Sequence, residues 1–478
     1  MHHQVYEAAR EVWNQAADFR SRRLRYKRFT YGRQWDDLIT TPEGHTMSEG
    51  DYAATAGKSP LTNNMIRQLV KSIVGRYRYM RGHQREGVDA TPRVGGTAGV
   101  DTGIARRNSL EELDCRMLEE FLISGCAVQR VVRERRPGHR DTEVWVDNVS
   151  PARFFVNAFS DPRGGDIELV GMLHDMSLGE VIMRHGHGEG RRIKRIRDLY
   201  GASLSMPAPI IPIGGDDGGM PDFTTAARGK CRVIEAWALE SVEMLKCHDK
   251  ARGRLFYVPT PSMAAIDEIN SRRAAAGIMP ICAIPTTSMR WHGYYFTPGG
   301  ELLDDTLSPY GHGSHPFIVK LYPLIDGEVH PFVEDVIDQQ KYINRLITVI
   351  DHILNFSAKG VLLFPEEQKL ENMTWQQVAQ QWCRPNGIIP YNATRGNEPK
   401  QIFSAGGAQG AHELLNTELK LFEQISGVSS ALQGHTADSK TSAELYQSQI
   451  QNAAIALLDT FETFDNFIGL RNSLITNT

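Results

Sequence analysis

The sequence holds only six cysteines, Cys115, Cys126, Cys231, Cys247, Cys282 and Cys383, and no two of them form a C-x-x-C pair. That scatter excludes a zinc ribbon and a disulfide framework, and it fits a reducing compartment. No run approaches the roughly 18 consecutive apolar residues of a membrane span. The start, MHHQVYEAAREVWNQ, lacks the apolar core of a secretory signal. A secreted or membrane-spanning protein is therefore not expected. An excess of positive charge is also missing: 53 Lys and Arg stand against 57 Asp and Glu, a formal charge of -4. A protein that grips nucleic acid by a broad basic surface shows the opposite balance, so any contact with a polyanion must be local.

Catalytic constellations are equally sparse. ATAGKSP at 54–60 resembles the end of a phosphate-binding P-loop in Gly57, Lys58 and Ser59. The first glycine of that motif would fall on Tyr52, no apolar strand leads in, and Pro60 follows the serine, so a turn is expected instead. His185 and His187 in RHGHGEG, and His312 and His315 in YGHGSHP, invite a metal reading. Neither cluster supplies the three ligands and nearby carboxylate base of a hydrolytic zinc site, so loop histidines are expected. There is no G-x-S-x-G elbow, and the acid pairs Asp216-Asp217 and Asp304-Asp305 lie in glycine- or turn-rich segments where solvation is the simpler reading. No catalytic residue, metal ligand or cofactor is expected.

What is present is a chain of 478 residues with 41% apolar and 23% charged residues, enough for a folded protein of more than one domain. Periodicity predicts a helix over 4–29 with Val5, Ala8, Val12, Ala16 and Phe19 on one stripe. It ends in RSRRLRYKR, where Arg20, Arg22, Arg23, Arg25, Lys27 and Arg28 are candidates for a basic contact with nucleic acid or an acidic partner; a solvated basic face is the alternative. A second helix starts after PLTNN, capped by Asn63 or Asn64, with Met65, Leu69, Ile73 and Tyr77 along it, and a third is expected near 104–124. Strand signals follow. CAVQRVVRE and EVWVDNV read as a hairpin, CRVIEAWALESVEMLKCHD and LFYVP as strands across KARGR, and MRWHGYYFTPGGELLDD as a hairpin turning at Pro298 to Gly300. Helices are expected near 177–186, 190–200 and 261–276. The order is α+β, without the βαβ alternation of a nucleotide-binding fold.

From residue 333 a long helix carries Val336, Ile343, Ile347, Ile350 and Leu354 on one stripe, widened by Tyr342, Leu346, Val349 and Ile353. So wide an apolar arc implies burial on two sides. A short strand GVLLFP, a small helix near 373–382 and another helix lead to SGVSSALQGHTADSKTSAEL, a soft polar stretch. A capping box, Thr441 to Glu444, then starts the last long helix.

The order of these pieces resembles the portal proteins of tailed bacteriophages, the head-to-tail connectors, and especially those of short-tailed phages. RYKRFTYGRQW is similar to the Tyr-Gly-x-Gln-Trp turn of that family, and LTNNMIRQLVKSIVGR to the Asn-led helix after it. LISGCAVQRV with VSPARFFVNAFSDP resembles the wing segment. DVIDQQKYINRLITVIDHILNFSAKG is similar to the Asp-x-Gln-x-x-x-Asn stem helix, and QISGVSSALQG to the segment leaving the second stem helix. The resemblance implies a portal-type α+β fold assembled as a ring, expected to be a dodecamer, at one capsid vertex of the virion, made in the host cytoplasm. It implies a wing over 1–332, a first stem helix 333–357, a clip 358–405, a second stem helix 406–426, a tunnel loop 427–441 and a C-terminal wing helix over 442–478 with a minimal or absent crown. Ser429, Ser430, Gln433, His435 and Lys440 of the loop would face passing double-stranded DNA. The partners implied are terminase, head-completion or tail adaptor proteins, and capsid or scaffolding protein, with no membrane. Twelve copies at -4 would sum to about -48, a field that keeps DNA from sticking in a conduit. The alternative from another class is a metal- or nucleotide-dependent enzyme of the packaging pathway, which needs a constellation that the sequence does not complete.

Overall fold

The computed structural model describes residues 2–55, 57–86, 100–201, 219–227, 229–357, 361–383, 388–392, 398–402, 408–428 and 455–478. The first expected helix is two, α1 (His2–Gln15) and α2 (Ala17–Thr30). The face that α1 buries is Val5, Tyr6, Ala9 and Trp13, while Ala8 is exposed and Val12 and Phe19 are only partly covered. Two overlapping stripes satisfy the helical spacing, and the one with the larger aromatic surface goes inside. Strands β1 (Leu38–Thr40) and β2 (Thr46–Ser48) pair antiparallel and lead into α3 (Glu49–Thr55). Gly57-Lys58-Ser59 then follows a helix, not a strand, and the Lys58 N–H closes that helix on the Ala53 carbonyl at 3.0 Å. Asn64 caps α4 (Met65–Glu86), its Oδ1 accepting from the Arg67 N–H at 3.0 Å.

The single helix expected near 104–124 is broken into α5 (Thr102–Arg107) and α6 (Leu110–Ser124). Asn108 is the cause. Its amide donates to the carbonyls of Ile104 and Val144, its oxygen accepts from the Val146 N–H at 2.9 Å, and Ser109 after it takes a left-handed φ of 49°. The expected hairpin follows as β3 (Cys126–Glu134) and β4 (Glu143–Asn148). Next come β5 (Phe154–Val156), β6 (Leu169–Met176), α7 (Leu178–His185) and α8 (Gly190–Tyr200). The chain continues with β7 (Cys231–Asp249), β8 (Arg254–Pro259), α9 (Met263–Ala275), β9 (Cys282–Phe296) and β10 (Leu302–Leu307). Then follow β11 (Phe317–Leu321), β12 (Pro323–Ile325) and β13 (Glu328–Val329), and the long α10 (Glu334–Ser357). The remaining elements are β14 (Val361–Leu363), α11 (Trp375–Cys383), β15 (Lys400–Ile402), α12 (Ala408–Ser426) and α13 (Leu458–Asn477). The fold is α+β, and every strand pairing among the described residues is antiparallel.

The chain divides into two compact units, one made of 1–24, 74–331 and 458–478, the other of 25–73 and 332–457. Residues 25–73 and 332–457, far apart in the chain, thus share one unit. Hydrogen bonds to α10, described below, hold the former in it.

In the first unit a six-stranded sheet runs β10-β9-β7-β6-β5 with β8 beside β7, and a three-stranded sheet runs β11-β3-β4. Residues 231–238 of β7 are buried without alternation because both faces of the larger sheet are covered. Tyr6, Ala9 and Trp13 of α1 pack with Phe155, Ile234, Ala236 and Phe296 on one side. Val128, Phe317 and Val319 of the smaller sheet pack with Val170, Trp237 and Trp291 on the other. Strands β5, β6 and β7 press so closely at Gly171 that a β-carbon there would lie 2.1 Å from the Glu235 carbonyl oxygen and 2.4 Å from the Phe155 ring.

His315 lies in this unit, buried with its ring 4.5 Å from that of Trp291, and burial holds its pKa down at about 3. The folded state thus keeps His315 neutral where the unfolded chain takes up a proton near pH 6.5. Stability should fall as pH drops below about 6.5, by about 1.4 kcal/mol per pH unit for this residue, until pH reaches its folded pKa. A His315→Leu variant is expected to show a shallower fall in thermal midpoint between pH 7 and pH 5 than the parent. Equal slopes would show that His315 is not the group responsible.

Candidate functional site

The second unit is organised around α10. Val336, Ile337, Ile343, Leu346 and Ile350 are buried, and α10 packs along α12, where Phe422 is fully enclosed. Three polar residues interrupt the apolar face at four-residue spacing: Gln340, Asn344 and Thr348, all buried. A buried amide is stable only with its donors and acceptors occupied, and here the start of α4 and the loop before it occupy them. Gln340 Oε1 accepts from the Met65 and Ile66 N–H groups at 3.0 and 3.3 Å, and its Nε2 donates to the Asn63 carbonyl at 2.7 Å and to Asn344 Oδ1 at 3.0 Å. Asn344 Oδ1 also accepts from the Asn63 N–H at 3.0 Å, and its Nδ2 donates to Gln34 Oε1 at 2.6 Å. Gln34 in turn donates to the Phe29 carbonyl and to Asn64 Oδ1, while Thr348 Oγ1 accepts from the Leu61 N–H.

Three short motifs far apart in the chain, YGRQW, LTNN and DQQKYIN, are thereby tied into one hydrogen-bonded knot. A charged shell surrounds it. Lys341 Nζ lies 2.9 Å from Asp37 and 3.2 Å from Glu49, Arg345 lies 2.6 Å from Glu49, and the Tyr26 hydroxyl donates to Glu334 at 2.6 Å. Burial pushes the Glu49 carboxyl up, but the hydrogen bond from Arg345 and the charge of Lys341 outweigh it, so its pKa falls below the usual range. Asp37 behaves alike, with burial opposed by Arg25 and Lys341.

Strands β14 and β15 pair beyond α10, with Val361 opposite Ile402 and Leu363 opposite Lys400. Nearby in sequence, Trp375, Ile388 and Tyr391 are exposed, and the Phe364 and Trp375 rings meet edge to face at 6.1 Å. At the end of α12, Gly427 takes a φ of 64°, which a side chain would strain, and Val428 turns inward to full burial. A β-carbon on Gly427 would lie 3.0 Å from the Ala456 methyl, so residues 427 and 456 meet closely. The loop candidates Ser429, Ser430, Gln433, His435 and Lys440, and the capping box at Thr441 to Glu444, lie outside the described residues.

The basic run of α2 is distributed differently from a single contact face. Arg20 is 4% exposed with its guanidinium 3.7 Å from the Trp13 ring, and burial lowers its pKa to about 10. Arg23 is buried in a bidentate pair with Glu120 at 2.7 and 2.8 Å, Arg22 lies 3.0 Å from Asp18, and Arg25 lies 2.9 Å from Asp37. Lys27 is exposed and Arg28 half-buried. Four of the six cations thus meet groups of their own chain. The carboxylate that takes Arg23 lies 97 residues away, out of reach of any local pattern.

The histidine pairs are also placed. His187 Nε2 lies 2.7 Å from Asp304, which stands 3.7 Å from the buried His185. His312 stacks on Tyr310. Among the described residues no group of three or more His, Cys, Asp or Glu side chains is arranged to hold a metal ion, and no helix is long and apolar enough to cross a membrane.

The second unit is a set of long packed helices fastened by a polar knot and the first a broad antiparallel α+β unit, and the buried amides of the knot are engaged with backbone and with one another. A family model described as Phage P22-like portal protein matches residues 6–472, and the chain belongs to that family. None of the curated proteins matches the chain. The family points to a structural role and to portal function.

Proposed function

We propose that the protein forms a ring, expected to be a dodecamer, at one capsid vertex, and that double-stranded DNA enters and leaves through its channel. The observation that carries this reading is apolar exposure on the two long helices. Tyr342 and Leu354 of α10 and Leu414, Leu421 and Ile425 of α12 remain exposed in a single chain, on helices whose other faces are packed. Isolated helices of about 36 and 28 Å gain nothing from such surface, whereas neighbours in a closed ring would cover it. On this reading α10 and α12 are the stem, and residues 358–405, with exposed Trp375, Ile388 and Tyr391, are the clip that receives terminase during packaging and adaptor proteins afterwards. The first unit, with α13, is the wing facing capsid or scaffolding protein.

The loop leaving Gly427 would then reach the axis. Ser429, Ser430, Gln433, His435 and Lys440 would touch phosphates weakly and reversibly, which a conduit needs, because a chain at -4 does not hold DNA by bulk charge. Synthesis in the host cytoplasm fits the absence of paired cysteines among the described residues.

Mass photometry of the purified protein tests the assembly. The parent is expected to give a single large closed species, and Leu421→Glu with Ile425→Glu to give subunits with an unchanged far-UV spectrum. A monomeric parent, or an undisturbed ring in the double variant, would count against α12 as a ring contact.

A further inference from the structure

Helix α8, GRRIKRIRDLY, carries five cations in eleven residues, Arg191, Arg192, Lys194, Arg195 and Arg197, against the single acid Asp198. All five are exposed. The opposite side of the helix is anchored: Ile196 and Tyr200 are buried with Met176, Val181, Cys231 and Val233, and the Tyr200 hydroxyl donates to the Arg232 carbonyl at 2.7 Å. The charges are therefore held on a fixed support. Only two of them meet carboxylates, and loosely: Arg192 lies 3.4 Å from Glu189 and 3.7 Å from Asp304, and Arg195 lies 3.4 Å from Glu301. Among the described residues Arg191, Lys194 and Arg197 have no acidic partner. Helix α7, which packs on α8, links to further cations. Arg184 at the end of α7 pairs with Glu134 at 3.4 Å, at the end of β3, where Arg133 is exposed, as are Arg135 and Arg140 in the turn that follows.

We infer that α8 is a contact surface for the sugar-phosphate backbone of duplex DNA, separate in sequence from the loop after Gly427 and independent of ring formation. Two features favour DNA over an acidic polypeptide. Four of the five cations are guanidinium groups, whose planar fork matches paired phosphate oxygens. In addition, α8 exposes none of the large apolar side chains that anchor protein interfaces. A phosphate contact needs neither an apolar anchor nor a base-specific donor, so this binding is indifferent to sequence and sensitive to salt.

Fluorescence anisotropy with a random-sequence duplex, read between about 50 and 200 mM salt, tests the assignment. The variant Arg191→Glu, Lys194→Glu and Arg197→Glu is compared with Lys246→Glu, Lys250→Glu and Arg254→Glu, which changes net charge equally around the β7–β8 turn. The α8 variant is expected to lose at least tenfold in affinity at the lower salt and to reduce the slope of log K against log salt by about 2.7, at about 0.9 per lost phosphate contact. The β7–β8 variant should stay within threefold of the parent. Equal losses in both variants, no binding by the parent at the lower salt, or tighter binding of a labelled oligoglutamate than of the duplex would each overturn it.

Discussion

Replacing Gln340 with alanine is expected to cost the second unit about 2 to 4 kcal/mol, far more than removing a surface side chain from the same helix pair. The side chain makes four hydrogen bonds, two of them to the first N–H groups of α4, which have no partner within their own helix. Alanine supplies no acceptor, and Ile66 is fully buried, so its N–H has no route to water. An unsatisfied buried group costs about 1 to 3 kcal/mol, and Asn344 loses a donor at the same time. Hydrogen exchange should show the loss first at the amides of Met65 and Ile66, with urea midpoints falling in step. If the variant matches Lys420→Ala, an exposed position on α12, the knot is not holding α4 to α10.

In the first unit Glu235→Ala is expected to be the most damaging single change, at about 3 to 5 kcal/mol. Glu235 is fully buried, 2.7 Å from His174, 2.8 Å from the Trp237 indole N–H and 3.2 Å from Arg130, itself only 7% exposed. Burial raises the Glu235 carboxyl, but Arg130 and the hydrogen bond to His174 more than reverse it, so the group is charged in the folded state. Burial lowers the His174 pKa despite Glu235, so the charge that balances the carboxylate is that of Arg130. Removing Glu235 alone leaves that guanidinium uncompensated. Replacing both partners, as in Arg130→Met with Glu235→Leu, should recover most of the loss, since a buried pair returns little beyond its own desolvation. Urea titrations followed by tryptophan fluorescence separate the cases: a double variant as unstable as the single one would show that shape, and not charge, governs this site.

The sequence disclosed most where a periodic signal met a large apolar surface. Most of the α10 stripe, though not its exposed Tyr342 and Leu354, the β3–β4 and β9–β10 hairpins, and a cap at Asn63 or Asn64 could be read directly, because each depends on neighbours a few residues apart. What escaped depends on distant partners. Asn108 looks like any helical residue until β4 is there to accept its amide, and Arg23 looks solvent-facing until Glu120 folds over it. The polar knot did leave a trace. Gln340, Asn344 and Thr348 sit at four-residue spacing inside the apolar arc of α10, an expensive arrangement unless something polar packs there. The basic run of α2 attracted attention by density alone, whereas the five cations of α8 are equally visible in GRRIKRIR. Only the position of the core, under Ile196 and Tyr200, determines that those five turn outward.

The approach of Gly427 to Ala456 makes one glycine answer to two demands at once. Its φ of 64° ends α12 with a turn that a side chain would strain, and a β-carbon there would meet the Ala456 methyl at 3.0 Å. The stop of α12 and the seat of residue 456 therefore cannot be altered independently: a substitution at 427 that tolerated the turn would still have to move the second segment.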